Sequence, residues 1–474
     1  NEPHNVLHGN GEPVWRSGSL VAEQWLQIDF QRPREYGGLV IVWDRLDYAT
    51  AYRVLESNDG KDWSVLYEST RGNGGRDYIY TPDAESRFLR LELLRSSRGQ
   101  GYSIRSILVK PYEMVASPNQ FFEAMAQDAP LGTYPRYFSG QQTYWTSLGD
   151  PQGGRQALLS DDGALEPFTG SFSIEPFLFV QGKLLGWNDV RTVQELEQGY
   201  LPIPSVTWEH EQVRLGVTVV AGGRDRARAF FVRYRLHNPS DQPLDATLFL
   251  ALRPFQVLPF WQNLNLVGGV TNVRDLVFDA RTVWVNGKPA LVSQTPPDQF
   301  GASTFEEGSV TEGLASGRVP LRLQVSDPFN YASGALEYRR QLEPHASTDV
   351  YIALPGRQED VSALQLATNG ASAEFQAQLD TAIQHWSTVL NRVEIQVPPE
   401  GATLIRALRT SLAHILIHRD GPSLQPGPRT YARAWIRDGA SMSAALLQMG
   451  FIVEPREFIR WYAQFVGADG RVAC

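Results

Sequence analysis

The chain is predicted to be a multidomain protein of class β plus α, with β-sandwiches first and helices last. Three observations point there: the length of 474 residues, short alternating strands from Trp25 to Leu354, and an apolar spacing of three and four residues from Phe375 onwards. One hydrophobic core usually serves roughly 100 to 200 residues, so two or three domains are expected. A hydrophobic content of 42% with 20% charged residues and 12 Trp belongs to chains that fold.

The first β region reads as strands at Trp25–Phe30, Leu39–Trp43, Arg53–Glu56 and Phe88–Leu93, separated by turn residues such as Ser57-Asn58-Asp59-Gly60 and Gly72-Asn73-Gly74-Gly75. Strands this short and this regularly spaced predict a sandwich or barrel. The first domain is expected to end near Tyr112, with a helix-tolerant stretch, Pro118–Ala126, behind it. From about Tyr134 to Pro355 the β pattern returns. It is clearest at Phe230–His237, which Asn238-Pro239-Ser240-Asp241 turns toward an expected partner strand, Ala246–Leu252. One large two-sheet sandwich is predicted, its last strand Asp349–Leu354 stopped by Pro355.

Beyond it, Phe375, Leu379, Ile383, Trp386 and Leu390 share one helical face, and packing is expected for Trp386 and its neighbour His385. An extended link, Val393–Val397 with Pro398-Pro399, precedes a second helix marked by Leu404, Leu408, Leu412 and Ile415. A third helix opens near Asp438 and stops at Gly450, and a fourth runs from about Pro455 to Val466.

Composition excludes several function classes. With 43 Lys plus Arg against 52 Asp plus Glu, a net charge of -9, no basic groove for nucleic acid is expected. Cys474 is the single cysteine, so neither an intrachain disulfide nor a thiolate zinc site can form. His414 and His418 are four apart but lack the adjacent Glu of a zinc protease helix. No segment reaches the about 20 apolar residues of a membrane span, and the opening Asn1-Glu2-Pro3-His4 is unlike a signal peptide.

Two segments carry a family resemblance. Gly9–Ser17, Gln24–Phe30, Ser57–Trp63, Arg87–Leu91 and Tyr102–Ile107 together resemble the discoidin, or coagulation-factor type C, family, which includes many carbohydrate-binding modules. The resemblance implies a β-sandwich, here trimmed at its N-terminus, whose sugar contacts come from loops; Tyr48 and Tyr102 are the candidates. Trp15, Trp25 and Trp63 are expected to be core residues. Many members hold a structural calcium through loop carbonyls and a late carboxylate, but the matching position is Ser106, so no metal and no cofactor is expected.

The second segment, Gly427–Gly439, contains Trp435-Ile436-Arg437-Asp438 and resembles the six-hairpin, glucoamylase-like glycosidases, in which a sandwich and a linker helix precede an (α/α) barrel. By that resemblance Trp435, Arg437 and Asp438 reach the sugar at the cleavage subsite, with Tyr431 and Arg433 beside them. The residue types suit the chemistry: a carboxylate accepts from adjacent hydroxyls and a guanidinium donates in fixed geometry. The competing reading makes Asp438 a helix cap and Arg437 its ion-pair partner.

Glycosidic hydrolysis needs two carboxyl groups flanking the bond. In these families the general acid lies well downstream of the motif, so the catalytic residues stay unknown and the chain reads as a fragment of a longer protein. Asp161 and Asp162 are expected to form a turn, and Glu175 and Glu209 carry no stronger signal. The domain assignment is therefore residues 1–112 discoidin-like, 113–370 large sandwich, 371–394 linker helix and 395–474 incomplete barrel. The functional expectation is a glycoside hydrolase with a sugar-binding module, inverting if the resemblance extends that far. It would act on a poly- or oligosaccharide in a bacterial extracellular or periplasmic setting. The alternative is a non-catalytic carbohydrate-binding or adhesion protein. A glycoside phosphorylase shares the architecture and needs a phosphate site that no motif here supplies.

Overall fold

The computed structural model describes residues 14–18, 24–150, 153–223, 228–262, 268–355, 361, 364 and 370–472. Gly9 to Pro13 of the first motif, Asn1 to His4 and Cys474 lie outside the described residues. The chain forms two compact units, one of Asn1–Tyr134 with Phe138–Gly140 and Ser303–Ser309, the other of the remainder. The class is β plus α: antiparallel sheets followed by a few helices.

The first unit is built on a six-stranded sheet of β1 (Trp15–Arg16), β2 (Gln24–Trp43), β3 (Ala49–Ser57), β4 (Ser64–Ser69), β5 (Arg76–Ser96) and β6 (Ser103–Lys110). Their order is β1-β6-β2-β5-β3-β4, with every ladder antiparallel. The two strands expected within 25–43 are one strand bent by a bulge. The register slips between Asp29 and Arg34, where Gln31 takes φ 67° and donates its N–H to Asp29 Oδ1 at 2.7 Å. Pro33 cannot donate to a ladder, so the sequence can only pass through here as an irregularity. The Ser57–Gly60 turn forms as read, with Asp59 Oδ1 accepting from the N–H groups of Lys61 (2.8 Å) and Asp62 (2.9 Å). The unit runs on past Tyr112 because α1 (Pro118–Asp128), N-capped by Ser117, is amphipathic. It buries Phe121 and Phe122 against Phe305, with ring centroids 5.7 and 6.1 Å apart.

The second unit holds an eight-stranded and a nine-stranded sheet. Strand Ala229–His237 pairs with Arg214–Gly222 and Ser347–Pro355 in the larger sheet. The expected pairing with Ala246–Leu252 does not form: that segment lies within Leu244–Arg253 in the other sheet, between Ser173–Val180 and Ser333–Leu342. Asn238 causes the crossover, its Nδ2 donating to the carbonyls of Gln242, Leu342 and Glu343. A hairpin of adjacent strands would leave one sheet; a crossover supplies both walls of one core. Alternation then decides which face each residue serves. Val232, Tyr234 and Leu236 point into the core with Leu248, Leu250 and Leu336, whereas Phe231 faces outward into a second core shared with the helices.

The helices of this unit whose bounds are described include α2 (Val310–Ala315), α3 (Ala371–Leu390), α4 (Ala402–Ile417), α5 (Ile436–Gln448) and α6 (Val453–Tyr462). In α3 the expected stripe is buried at Phe375, Leu379, Trp386 and Leu390, and each such side chain contributes about 1.5–3 kcal/mol on burial. His385, expected to pack, is exposed instead, one step round the helix from Trp386. In α4 the stripe fails over its first half. Leu404 is 74% exposed and burial begins at Leu412; the Thr410 hydroxyl donates to the Tyr200 carbonyl at 3.0 Å.

Within the first unit the Asp77 carboxylate of β5 is largely enclosed. Asp77 Oδ2 accepts from Trp43 Nε1 at 2.7 Å and from the Tyr52 hydroxyl at 2.8 Å. Burial nevertheless pushes its carboxyl up to about 6, outweighing both hydrogen bonds. A folded-state value above the unfolded one, about 3.9, means that the charged form is penalised in the fold. The penalty is absent below pH 4 and grows as pH rises through 6, reaching on the order of 3 kcal/mol. Asp77→Asn removes the charge while keeping an acceptor. We expect the variant to gain stability relative to the natural chain between pH 4 and 7, measured by hydrogen exchange in β2 and β5; a pH-independent difference would refute the assignment.

Candidate functional site

The Gly427–Gly439 segment leads into α5 and is fixed at one point. Arg429, buried and with φ 59°, places its guanidinium 2.9 Å from Glu166 Oε1 and donates to Thr169 Oγ1 at 3.0 Å. The two side chains of the ion pair are 1% and 0% exposed. Glu166 also accepts backbone N–H groups from Val257 (2.9 Å) and Gly170 (3.3 Å). Burial pushes the Glu166 carboxyl up, opposed by Arg429 and these N–H groups, and pushes the Arg429 guanidinium down, opposed by Glu166. A left-handed backbone costs an arginine roughly 1–3 kcal/mol, and the pair holds it there.

From that anchor the chain presents Tyr431, Arg433, Trp435, Arg437 and Asp438. Tyr431 and Arg433 are exposed and Trp435 is half-buried. The Tyr431 and Trp435 rings lie 6.1 Å apart, and the Arg433 guanidinium covers Trp435 at 4.5 Å. Trp435 is the N-cap of α5 and no side chain caps that end. Asp438 therefore does not cap: it stands third in the first turn, where the helix dipole favours its charge, with Arg437 Nη2 at 3.3 Å. Gly439 has a packing reason, since a Cβ there would fall 2.0 Å from Phe458 Cζ of α6. The geometry thus gathers one carboxylate, two guanidinium groups and two aromatic rings on one accessible segment, able to exchange hydrogen bonds with hydroxyls and to stack on an apolar face.

The other sequence candidates are placed as follows. Tyr48 is half-buried and packs over Gly74, where a Cβ would lie 2.7 Å from the ring. Tyr102 is 5% exposed, clamped where Ser17 N–H meets its carbonyl (2.9 Å) and its own N–H meets Ser17 Oγ (3.0 Å). Trp15 is buried as expected, but Trp25 is 50% exposed. Sequence reading missed the reason: Trp25, Gln27 and Asp29 alternate outward along β2, and Arg90 from β5 lies between Trp25 (4.7 Å) and Trp63 (3.8 Å) while donating to Gln27. Ser106 is a buried hydroxyl on β6.

Asp161 and Asp162 form their turn, yet inside the protein, with Arg136 at 3.9 and 3.6 Å. Burial, with the neighbouring Asp162 charge, pushes Asp161 up to about 6. Glu175 is consumed by a buried pair with Arg253, and Glu209 faces Arg191 at 3.5 Å. His418 bonds Ser147 Oγ at 2.7 Å and stacks on His414 at 5.9 Å; burial pushes it down to about 3, which keeps it neutral.

The six-stranded unit coincides with a family match: residues 1–108 match the F5/8 type C domain. The chain therefore carries a discoidin-type domain at its N-terminus. Discoidin, CUB and LCCL domain-containing protein 2 of Rattus norvegicus is 32% identical over 94 residues, 17% of this chain, and the chain spans 12% of that protein's length. Among solved structures, chitosan-binding module 2 of a chitosanase/glucanase from Paenibacillus sp. IK-5, in complex with chitotriose, is 26% identical. It covers 23% of this chain and 86% of its own, with a TM-score of 0.22. A pectin-binding carbohydrate binding module is 20% identical over 24% of this chain and 81% of its own, with a TM-score of 0.20.

The buried pair sets a stability test. Glu166→Gln or Arg429→Met leaves one charge buried alone and is expected to cost about 3–5 kcal/mol in thermal unfolding of the second unit. The double variant Glu166→Leu/Arg429→Met should recover much of that loss. Additive losses would mean that the two side chains do not act as a pair.

Proposed function

We propose that the chain belongs to a carbohydrate-active protein, a six-hairpin glycoside hydrolase with an appended sugar-binding module. The observation that carries this reading is the accessible group of Tyr431, Arg433, Trp435, Arg437 and Asp438, anchored by Arg429 and free of a capping duty. Its residue types are those a pyranose needs: a ring for the apolar face, an acceptor for vicinal hydroxyls and charged donors in fixed geometry. The order of discoidin domain, sandwich, linker helix and further helices supports it. So do the exposed apolar side chains of Leu404, Leu447, Ile452 and Ile459, which the opening helices of a larger helical barrel leave for later helices to cover. On this reading α3 is the linker helix and α4 to α6 begin the barrel. No general acid is assigned. The protein meets its poly- or oligosaccharide in an extracellular or periplasmic setting. Should sugar binding occur without turnover, the reading becomes that of a non-catalytic carbohydrate-binding protein.

Asp438→Asn tests the site. On a glycan array it should lose at least about tenfold in binding, the worth of a charged hydrogen bond, while unfolding stability changes by no more than about 0.5 kcal/mol. Unchanged glycan binding with a large loss of stability would assign Asp438 to structure instead.

A further inference from the structure

A second site lies away from the motif, where α3, α4 and α6 approach one another. A cavity of 470 Å³ there is lined by His385, Arg392, Arg419, Phe451, Glu454 and Glu457 together with apolar side chains. That volume is in the range of small-ligand pockets, roughly 300–1,000 Å³. Phe451 follows the C-terminal end of α5, whereas Asp438 is at its N-terminal end. Thirteen helical residues put about 20 Å between those ends.

Two polar atoms of the lining are left over. Arg419 is 8% exposed; its Nη2 donates to the Gly421 carbonyl at 3.1 Å and to Glu457 Oε2 at 2.9 Å. Its Nε–H is buried and has no hydrogen-bond partner among the described residues. The same holds for Glu454 Oε2. A buried donor and a buried acceptor each cost about 1–3 kcal/mol when unmade, and both belong to side chains of one cavity. Arg392 stacks on Phe451 at 4.4 Å, which fixes the apolar wall.

The charges choose the ligand class. Arg392 and Arg419 face Glu454 and Glu457, two against two, so an anion would meet both carboxylates and a cation both guanidinium groups. A hydroxyl does what neither can, accepting from Arg419 Nε–H and donating to Glu454 Oε2. We propose that this cavity is a binding site for a neutral polyhydroxylated small molecule of monosaccharide to disaccharide size, separate from the Trp435–Asp438 segment. The assignment stands on these atoms and does not require the motif to bind sugar.

Methyl NMR on the intact chain tests it, reading the Val389 and Leu416 methyls that line the cavity while D-glucose and maltose are titrated as neutral probes and glucose 1-phosphate as the anionic one, in an Asp438→Asn background that weakens the motif. Shifts of those methyls with a neutral sugar should persist in that background. Glu454→Gln should weaken the binding they report about tenfold. His385→Trp, at an exposed position where folding is safe, should obstruct the cavity and abolish the shifts. No shift of those methyls with either neutral sugar, shifts untouched by both substitutions, or tighter binding of the phosphorylated sugar would each overturn the proposal.

Discussion

Everything the Trp435–Asp438 segment presents depends on one buried ion pair. Glu166 extends from the sandwich and Arg429 from the connection between α4 and α5, and neither is solvated. Such a pair is weak evidence for net stability, because desolvating two charges offsets most of their attraction. Its value lies in position. An apolar contact would hold the connection at many similar settings, whereas a carboxylate already committed to the N–H groups of Val257 and Gly170 accepts the guanidinium at one. The left-handed backbone of Arg429 follows from that requirement, and the exposed residues follow from the backbone.

The same logic of alternation and crossover organises the second unit. Because Asn238 sends the chain from one sheet to the other, consecutive strands become opposite walls of a core, and the outward-facing residues of the larger sheet become available to helices. Phe231 on the sheet and Phe375, Trp386 and Leu416 on the helices then form one continuous apolar layer. Arg233, on that same outward face, stacks on Phe375 at 5.1 Å and so serves packing as well as charge. The helices are held by the sheet, and α4 is buried only over its second half.

In the first unit the polar residues are as structural as the apolar ones. Asp77 satisfies Trp43 and Tyr52, and Arg90 fills the gap between Trp25 and Trp63. Both arrangements join residues twenty-five or more positions apart, so neither is visible from local spacing. The outward direction of Trp25, by contrast, was written in its alternation with Leu26 and could have been read.

The sequence alone determined the order of elements, the switch from strands to helices near residue 370, the turn at Ser57–Gly60 and the discoidin-type first domain. Each is a local pattern or a local motif, governed by backbone preference and by the period at which apolar residues recur. It also picked out the Tyr431–Asp438 segment, because the residue types themselves carry the chemistry. Which strand pairs with which, that Tyr102 and the Asp161–Asp162 turn are buried, that His385 is exposed, and that Asp438 has no cap to make were decided only by tertiary structure. These depend on what lies opposite each side chain, and burial and partnership are set by residues far away along the chain.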